Sequence, residues 1–314
     1  MILQLLHVFL YKVATAAADG WSALFQSCPV KSQPKDCDID GLDDQQIYDL
    51  CLSLPSEAWI STETGEDCPA RISLDVIGKR IYDRPAPGSP PEALAQELVR
   101  NSTNIPVPAI RRVIPHEKGC ALIVMDYIPG VSLSAAWPRM SLWQKIRTAL
   151  TVRRYVRQLR SIPHPRPGIP GPLAEGGVPV PCISPAIFSF MRPVRGPFTT
   201  TAEFLAYFNT APKFGPGLRL LPLPRKPTLT DEKLVLSHAD LAPRNLIVGD
   251  DGQLWLIDFG HAGFYPIWFE YVNTSMDARL ESGREYDLAW RTLIPFICDP
   301  YYYVLEYIQS VYLR

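Results

Sequence analysis

One predicted β-hairpin restricts how this chain can fold more than any other feature. Two runs of strand-forming residues, 246–248 and 253–257, flank the turn sequence Gly249-Asp250-Asp251-Gly252. Such runs on both sides of a Gly/Asp turn are typical of a hairpin. Asn245 opens the first strand and Asp258 closes the second, and a hairpin brings such ends side by side. The sequence therefore predicts that an amide oxygen and a carboxylate converge on one point.

The residues around this hairpin have the chemistry of a metal and phosphate site. Mg²⁺ prefers hard oxygen ligands and takes only one or two carboxylates beside the phosphates of a substrate. Asp240 precedes the hairpin in the same loop, where it can orient or accept the proton of an attacking hydroxyl. The order H-x-D-x-x-x-x-N (238–245) and then D-F-G (258–260) is typical of a kinase-type catalytic loop followed by a metal-binding turn.

With these motifs the chain resembles the aminoglycoside phosphotransferase-like family, in its fungal form. The resemblance runs from about Ile72 to about Tyr271 and is carried by the segments 104–108, 124–130, 238–245 and 261–266. It implies an α+β, protein kinase-like two-lobed fold, with a small antiparallel-sheet N-lobe and a larger, mostly helical C-lobe. The family usually has Gly where Ala239 stands and often His where Ala242 stands, which affects loop packing more than metal ligation.

The resemblance also assigns roles within the catalytic loop. Asp240 would orient the acceptor hydroxyl, and Asn245 and Asp258 would hold Mg²⁺. For His238, acid/base catalysis is one alternative, but the resemblance favours a structural role that holds the loop and the D-F-G turn. Arg244 stands where the fungal family often has Arg, and a structural role in the loop is expected for it.

The nucleotide is expected to bind in the N-lobe. Lys79 ends an apolar strand pattern, and in the kinase arrangement such a lysine contacts the phosphates and pairs with a glutamate on a helix. Glu92 at the start of the next helix pattern fits that partner best, with Glu97 on another side of the helix as the alternative. Backbone groups of the hinge residues would bond the adenine edge of ATP: Met125, Asp126 and Tyr127.

The phosphate-covering glycine loop is the missing part of the pattern. No G-x-G-x-x-G precedes Lys79, although protein kinases place one over the phosphates. The sequence Thr64-Gly65-Glu66 is the nearest substitute. This gap, with the uncertain glutamate, keeps open a catalytically weak or inactive pseudokinase that acts as a nucleotide-binding or interaction module.

Local patterns divide the chain into an N-terminal helical extension (1–60), a nucleotide-binding N-lobe (61–129) and a C-lobe with the catalytic, metal and substrate sites (130–314). Strands are expected at 71–82, 107–113 and 121–127. Repeated proline favours irregular structure from 163 to 185 and on to 227. Helices are expected at 43–54, 92–101, 133–160, 200–209 and 287–313.

Composition narrows the classes of protein. The chain has 314 residues, 47% of them hydrophobic, and a net charge of −1, which argues against disorder and against a general nucleic-acid binder. A basic cluster at 153, 154, 157 and 160 is interpreted as a solvated helix face rather than an acidic-partner patch. Seven scattered cysteines without C-x-x-C favour free thiols in a reducing compartment such as the cytoplasm.

The amino terminus leaves two alternatives. Residues 1–13 are apolar but interrupted by polar residues, and they are too short for a convincing membrane span. Ala14-Thr15-Ala16-Ala17-Ala18 resembles a signal cleavage site, yet no basic residue precedes the apolar run. A peripheral helix without stable membrane insertion is therefore expected, with a secretory signal or anchor as the alternative.

Taken together, the motifs predict an ATP-dependent phosphotransferase that phosphorylates a hydroxyl of a small molecule. A protein kinase is disfavoured because no A-P-E segment follows Asp258-Phe259-Gly260. The acceptor is expected under the Pro-rich segment, where 188–208 and the acidic stretch 273–287 could line its pocket. Asp277 and Glu281 would suit a hydroxylated, cationic molecule, and an ordinary solvated loop is the alternative interpretation of the acidic stretch. Oligomeric state is not indicated by any pattern in the sequence.

Overall fold

The computed structural model describes residues 39–55, 69–82, 88–116, 120–188, 193–209, 233–280 and 288–312. Its strands are β1 (Pro69–Arg71), β2 (Val76–Ile81), β3 (Ile110–Pro115), β4 (Ala121–Asp126), β5 (Gly130–Ser132), β6 (Cys182–Ile183), β7 (Val194–Arg195), β8 (Leu234–Ser237), β9 (Leu246–Gly249), β10 (Leu254–Leu256) and β11 (Gly263–Pro266). Its helices are α1 (Asp44–Ser53), α2 (Pro91–Ser102), α3 (Leu133–Ala136), α4 (Leu142–Ser161), α5 (Pro185–Phe188), α6 (Thr201–Asn209), α7 (Phe269–Leu280), α8 (Leu288–Cys298) and α9 (Tyr302–Tyr312).

The small lobe is an antiparallel sheet with the strand order β1-β2-β4-β3. The strand predicted over 71–82 is wrong in one respect, because a turn at 72–75 divides it into the hairpin β1–β2. The backbone N–H groups of Ile72 and Ser73 both donate to the carbonyl of Val76, which closes that turn. Lys79 lies in β2 opposite Ile123 of β4, so its position is fixed by two flanking strands.

The two faces of this sheet are covered by different helices. On one side, Ala93 of α2 packs with Ile123 and Met125 of β4. On the other side, α1 contributes Ile47 and Cys51 to a separate apolar cluster with strand residues. Part of the predicted N-terminal extension therefore packs directly on the small lobe.

The long helix predicted over 133–160 is also interrupted. After α3, residues Trp137–Arg139 form a 3₁₀ turn that contains Pro138. Helix α4 then begins afresh, because Ser141 accepts from the N–H of Gln144 while the Gln144 side chain accepts from the N–H of Ser141. This reciprocal capping box is a strong helix start, and proline has no N–H with which to continue the preceding helix.

The basic cluster on α4 is not the solvated face that its sequence suggests. Arg153 is 1% exposed and donates to the carbonyl of Phe296 and to Asp299. Arg160 donates to Asp299 at 2.8 Å and to the carbonyl of Cys298 at 2.5 Å. Both guanidinium groups thus satisfy carbonyls at the end of α8, where helices leave acceptors unpaired. Arg157 is exposed as predicted.

The predicted catalytic hairpin is present as β9 and β10, in antiparallel register with Leu246 opposite Leu256. Strand β5 joins it as a third strand along β9. At Gly130 the two backbones are so close that an added Cβ would lie 2.3 Å from the carbonyl oxygen of Val248. Ladder β8–β11 pairs Ser237 with Gly263, so the segments before and after the hairpin are also tied together.

Among the described residues, Cys51, Cys120, Cys182 and Cys298 are free thiols. None of the helices in this part of the chain combines the length and apolar composition that a membrane-spanning segment needs.

Candidate active site

The two ends of the hairpin meet as the sequence predicts. The backbone N–H of Ile257 donates to the carbonyl of Asn245 at 3.1 Å, which places Asp258 beside the start of β9. The Asp258 side chain is 41% exposed, while Asn245 is 5% exposed. The two residues are therefore neighbours along the paired backbone, and the convergence of their side-chain oxygens on one point stays a prediction.

Asp240 is held by its own loop. The Asn245 side-chain nitrogen donates to the Asp240 carbonyl at 2.8 Å and to Asp240 Oδ2 at 2.7 Å. Arg244 Nη2 donates to Asp240 Oδ1 at 2.5 Å. The side-chain nitrogen of Asn245 faces Asp240, so the side-chain oxygen of Asn245 is the atom that remains to bind a cation. Each Asp240 oxygen keeps a further lone pair, and a substrate hydroxyl could donate there.

Lys79 connects the two lobes. Its ammonium lies 2.9 Å from Glu92 Oε1 and 2.9 Å from Asp258 Oδ1. Glu92 is 5% exposed at the start of α2, whereas Glu97 is exposed to solvent. The structure therefore gives Lys79 the partner that the sequence analysis preferred, and it adds a direct contact with Asp258.

These contacts set the charge states at the point where the lobes meet. Burial alone would lower the pKa of Lys79, but the carboxylates of Asp258 and Glu92 outweigh it and raise that pKa well above its usual value. Partial burial would raise the pKa of Asp258, yet the ammonium of Lys79 holds that pKa well below its usual range. Lys79 is thus a cation and Asp258 an anion throughout the physiological range.

Two residues of the site have left-handed backbone conformations that favour glycine. Ala239 has φ 59° and Asp258 has φ 65°. Such conformations cost free energy in residues with a Cβ, and they persist where the surroundings hold them. The first explains why a glycine is expected at the position of Ala239. At Asp258 the carboxylate of this left-handed residue contacts Lys79 at 2.9 Å.

His238 has the contacts of a structural residue. It is fully buried, its Nε2 lies 3.0 Å from the carbonyl of Ile257, and its ring packs against Phe259 with centroids 4.9 Å apart. Burial lowers the pKa of the imidazole, although Asp240 and Asp258 oppose that change. A neutral ring that donates to the Ile257 carbonyl links the catalytic loop to the D-F-G turn.

The residues that anchor the catalytic loop from below were missed in the sequence. Glu270 accepts from the backbone N–H of His238 at 2.6 Å and from that of Ala239 at 3.1 Å. Asn273 donates to the Ala239 carbonyl at 2.6 Å, and Ser184 donates to Asn273 at 2.5 Å. The available signal was a Glu and an Asn three residues apart near the start of a helix, a spacing that places both side chains on one face.

Glu270 is a buried carboxyl with an unusual titration. Burial raises its pKa to about 7, while the two backbone donors and Arg160 act in the opposite direction. It therefore changes its proton occupancy close to neutral pH. This matters because the groups that it holds, the N–H groups of His238 and Ala239, precede Asp240 directly.

The hinge differs from the expectation in one respect. The N–H of Asp126 donates to the carbonyl of Ala109 at 2.9 Å, and the N–H of Tyr127 donates to that of Asp75 at 2.8 Å. The Asp126 carboxylate accepts from Arg111 Nε at 2.7 Å, and Met125 is paired within β4. The amides of Asp126 and Tyr127 are therefore used inside the protein, and a contact of the hinge with adenine stays a prediction. Thr64-Gly65-Glu66 lies outside the described residues.

Of the two predicted acceptor residues, only Asp277 lies in the described part of the chain. Asp277 lies on α7 and its Oδ2 is 3.1 Å from Arg244 Nη1, so it has a partner within the protein. Glu281 lies outside the described residues. A role of Asp277 in binding the acceptor stays a prediction.

The donor set fits a hard cation that phosphates help to hold. No group of three or more His, Cys, Asp and Glu that could bind a metal occurs within the described ranges. Asn245 and Asp258 instead supply one amide oxygen and one ionised carboxylate. Mg²⁺ in phosphoryl-transfer sites is held in this way, with substrate oxygens and water in the remaining positions.

The comparisons with known proteins concern the family and the fold. Residues 192–293 match the model of the phosphotransferase enzyme family. No protein of curated function matches the sequence. The fold is similar to that of aminoglycoside 2'-phosphotransferase-IIIa in complex with GDP, both as a point variant (TM-score 0.51, 16% identity, 86% of this chain and 90% of that chain covered) and as the wild type (TM-score 0.50, 15% identity, 84% and 86% covered).

A third structure, of the same enzyme with GDP and kanamycin, matches with a TM-score of 0.50 and 14% identity, over 84% of this chain and 86% of that chain. At these identities the likeness concerns the fold. The α+β, two-lobed, protein kinase-like fold implied by the sequence is confirmed, and so is the resemblance to phosphotransferases.

Proposed function

We propose that this protein transfers the γ-phosphoryl group of ATP, as its Mg²⁺ complex, to a hydroxyl group of a small molecule. The observation that carries this proposal is the meeting of Lys79, Glu92 and Asp258 within 2.9 Å, beside a loop that holds Asp240 and Asn245 together. Phosphoryl transfer of this kind requires a fixed cation, a carboxylate that can bind a metal ion, and a candidate base, contributed by both lobes.

Each residue has a separate part in the proposed reaction. Lys79, oriented by Glu92, would hold the phosphates. Asn245 and Asp258 would hold Mg²⁺, which neutralises charge on the phosphates when it is bound. Asp240 would orient the acceptor hydroxyl and take its proton as the oxygen attacks the γ-phosphorus, while the bond from that phosphorus to the β,γ-bridging oxygen breaks and ADP leaves. His238 and Arg244 would keep the loop in shape.

The nucleotide is proposed to be ATP, as expected from the motifs, but GTP is tested beside it. The structures of similar fold are complexes with GDP, so this fold admits a guanine nucleotide in those proteins. In this chain the amides of Asp126 and Tyr127 are already paired, which leaves the choice of base to groups that both nucleotides could use.

An inactive pseudokinase is the weaker alternative. It relied partly on an uncertain partner for Lys79, and the contact with Glu92 removes that reason. The acceptor is proposed to be a hydroxylated small molecule, in keeping with the kanamycin bound to the structural relative. The scattered cysteines favour a reducing compartment, such as the cytoplasm, as its place of action.

The proposal is tested by phosphate transfer from Mg-ATP and Mg-GTP to a panel of hydroxylated metabolites, with kanamycin included. Transfer is expected to require Mg²⁺ and to be lost in Asp258→Ala. Asp250→Asn serves as the matched control, because Asp250 is an exposed carboxylate at the far end of the same hairpin. Transfer by Asp258→Ala at the wild-type rate, or equal rates in EDTA, would contradict the assignment.

A further inference from the structure

Arg244 joins two carboxylates that belong to different parts of the large lobe. Its Nη2 donates to Asp240 Oδ1 at 2.5 Å, and its Nη1 donates to Asp277 Oδ2 at 3.1 Å. The second oxygen of Asp240 accepts from Asn245 at 2.7 Å. Both carboxylate oxygens of Asp240 therefore accept a hydrogen bond. Arg244, one of the two donors, also donates to Asp277.

The anchor at Asp277 comes from outside the catalytic loop. Arg244 lies in the short 3₁₀ turn Pro243–Asn245, and a long, partly exposed side chain on such a turn has many rotamers to lose. Asp277 lies on α7, two helical turns beyond Glu270, so both face the loop. Helix α7 thus binds the loop at two places. Glu270 accepts from the backbone N–H groups of His238 and Ala239, and Asp277 accepts from the side chain of Arg244.

We propose that Asp277 is a positioning residue for phosphoryl transfer: it fixes Arg244, which in turn fixes the carboxylate of Asp240. The proposal rests on the function proposed above for Asp240. A guanidinium is suited to this task because its planar fork binds two carboxylates through different nitrogens, which the single ammonium of a lysine does less well. The side chains are partly buried, with 15% of Asp240, 32% of Arg244 and 23% of Asp277 exposed, so water competes only in part.

The competing role for Asp277 is direct contact with a cationic acceptor. The two roles differ when water replaces the acceptor. Slow hydrolysis of Mg-ATP still needs an oriented Asp240, but it needs no contact with an acceptor. Loss of a positioning residue slows hydrolysis, whereas loss of an acceptor contact leaves hydrolysis unchanged and raises only the KM for the acceptor.

The experiment compares Asp277→Asn, Arg244→Lys and the double variant with the wild type and with Asp250→Asn. The measured quantities are the rate of Mg-ATP hydrolysis, the KM for ATP, and amide hydrogen exchange over residues 238–246. Asp277→Asn is expected to slow hydrolysis roughly tenfold to hundredfold, with the KM for ATP within about twofold of wild type. The double variant should be no slower than the slower single variant, because both break one chain of contacts.

Exchange of the 238–246 amides is expected to accelerate in Asp277→Asn and to stay at the wild-type rate in Asp250→Asn. Wild-type hydrolysis and wild-type exchange in Asp277→Asn would overturn the proposal and would leave contact with the acceptor as the role of Asp277. If the wild-type protein neither binds nor hydrolyses Mg-ATP, the proposed function fails. In that case amide exchange alone tests the contact between Asp277 and Arg244. Unchanged exchange over residues 238–246 in Asp277→Asn then overturns the role proposed for that contact.

Discussion

At the scale of single residues, the site depends on side chains and backbone angles that only a folded chain can bring together. Lys79 and Asp258 are far apart in the sequence but lie 2.9 Å apart in space. Ala239 has a backbone conformation poorly suited to its side chain, since its φ of 59° is one that glycine adopts without strain.

Ala239→Gly tests whether this strain is real. The change should relieve about 1–2 kcal/mol of left-handed strain, against about 0.5–1 kcal/mol for the greater freedom of glycine in the unfolded chain. Ala242→Gly is the matched control, because Ala242 is also buried but has φ −130° and no such strain. Denaturant unfolding should therefore find Ala239→Gly the more stable of the two by about 1–2 kcal/mol. Equal free energies of unfolding would contradict the strain at Ala239.

The site residues could be predicted from the sequence where spacing along the chain fixes geometry. Asn245 and Asp258 end the two strands of one hairpin, so the turn at 249–252 was enough to bring them together. The pairing of Lys79 with Glu92 rather than Glu97 depended on which face of α2 is buried, and a short helix pattern with two glutamates does not settle that.

At the scale of elements, α7 is the support of the catalytic loop. Glu270 and Asn273 bind the backbone of residues 238 and 239, and Asp277 reaches the side chain of Arg244. The sequence motifs describe the loop but not its support, because the supporting contacts join segments about 30 residues apart and leave no local pattern.

Glu270 gives this support a pH dependence. Burial raises its pKa to about 7, so between about pH 4.5 and 7 the folded protein binds a proton that the unfolded chain releases. The contribution of Glu270 to stability is thus fully present below its unfolded pKa and is lost as the pH rises through about 7.

Glu270→Gln does not titrate, and comparison with it isolates this contribution. From pH 5 to pH 8, the free energy of unfolding of the wild type should fall relative to the variant, by about 1 kcal/mol or more. Urea unfolding of both proteins at the two pH values measures the difference. If the free energies of unfolding of the wild type and the variant differ by the same amount at pH 5 and pH 8, the backbone donors and Arg160 keep the Glu270 carboxylate ionised.

Irregular elements were the least predictable. The helix expected over 133–160 is broken at Trp137–Arg139, although Pro138 and the Ser141 capping box both marked the break in the sequence. The strand expected over 71–82 contains a turn that no glycine or proline marks. The break in the helix was thus marked locally, whereas the turn at 72–75 lies between two strands and depends on how they pack.

At the scale of the whole molecule, buried ion pairs join elements far apart in the chain. Arg153 and Arg160 both bind Asp299, which fixes α4 against the end of α8. The sequence spacing of these arginines suggested a solvated face. That interpretation failed for these two because a guanidinium in the interior can satisfy several carbonyls at once.

Arg153→Ala should destabilise the fold by about 1–3 kcal/mol, since it leaves the carbonyl of Phe296 without its side-chain donor, although Arg160 still binds Asp299. Arg157→Ala is the control on the same helix, where an exposed arginine is expected to change stability by less than about 0.5 kcal/mol. The comparison is made by urea unfolding at one pH. Similar losses of stability in both variants would support the interpretation of the arginine cluster as a solvated helix face.

The central claim, that Asp240 acts in transfer while Asp258 acts in binding, is tested most directly by measuring both steps in Asp240→Asn. Saturating Mg-ATP at about 100 times its dissociation constant should stabilise the wild type and Asp240→Asn alike, by about 2.7 kcal/mol, and should stabilise Asp258→Ala far less. Asp240→Asn should nevertheless transfer phosphate roughly 10²–10⁴-fold more slowly than the wild type. Retention of full transfer activity by Asp240→Asn, or loss of its Mg-ATP stabilisation, would contradict the account.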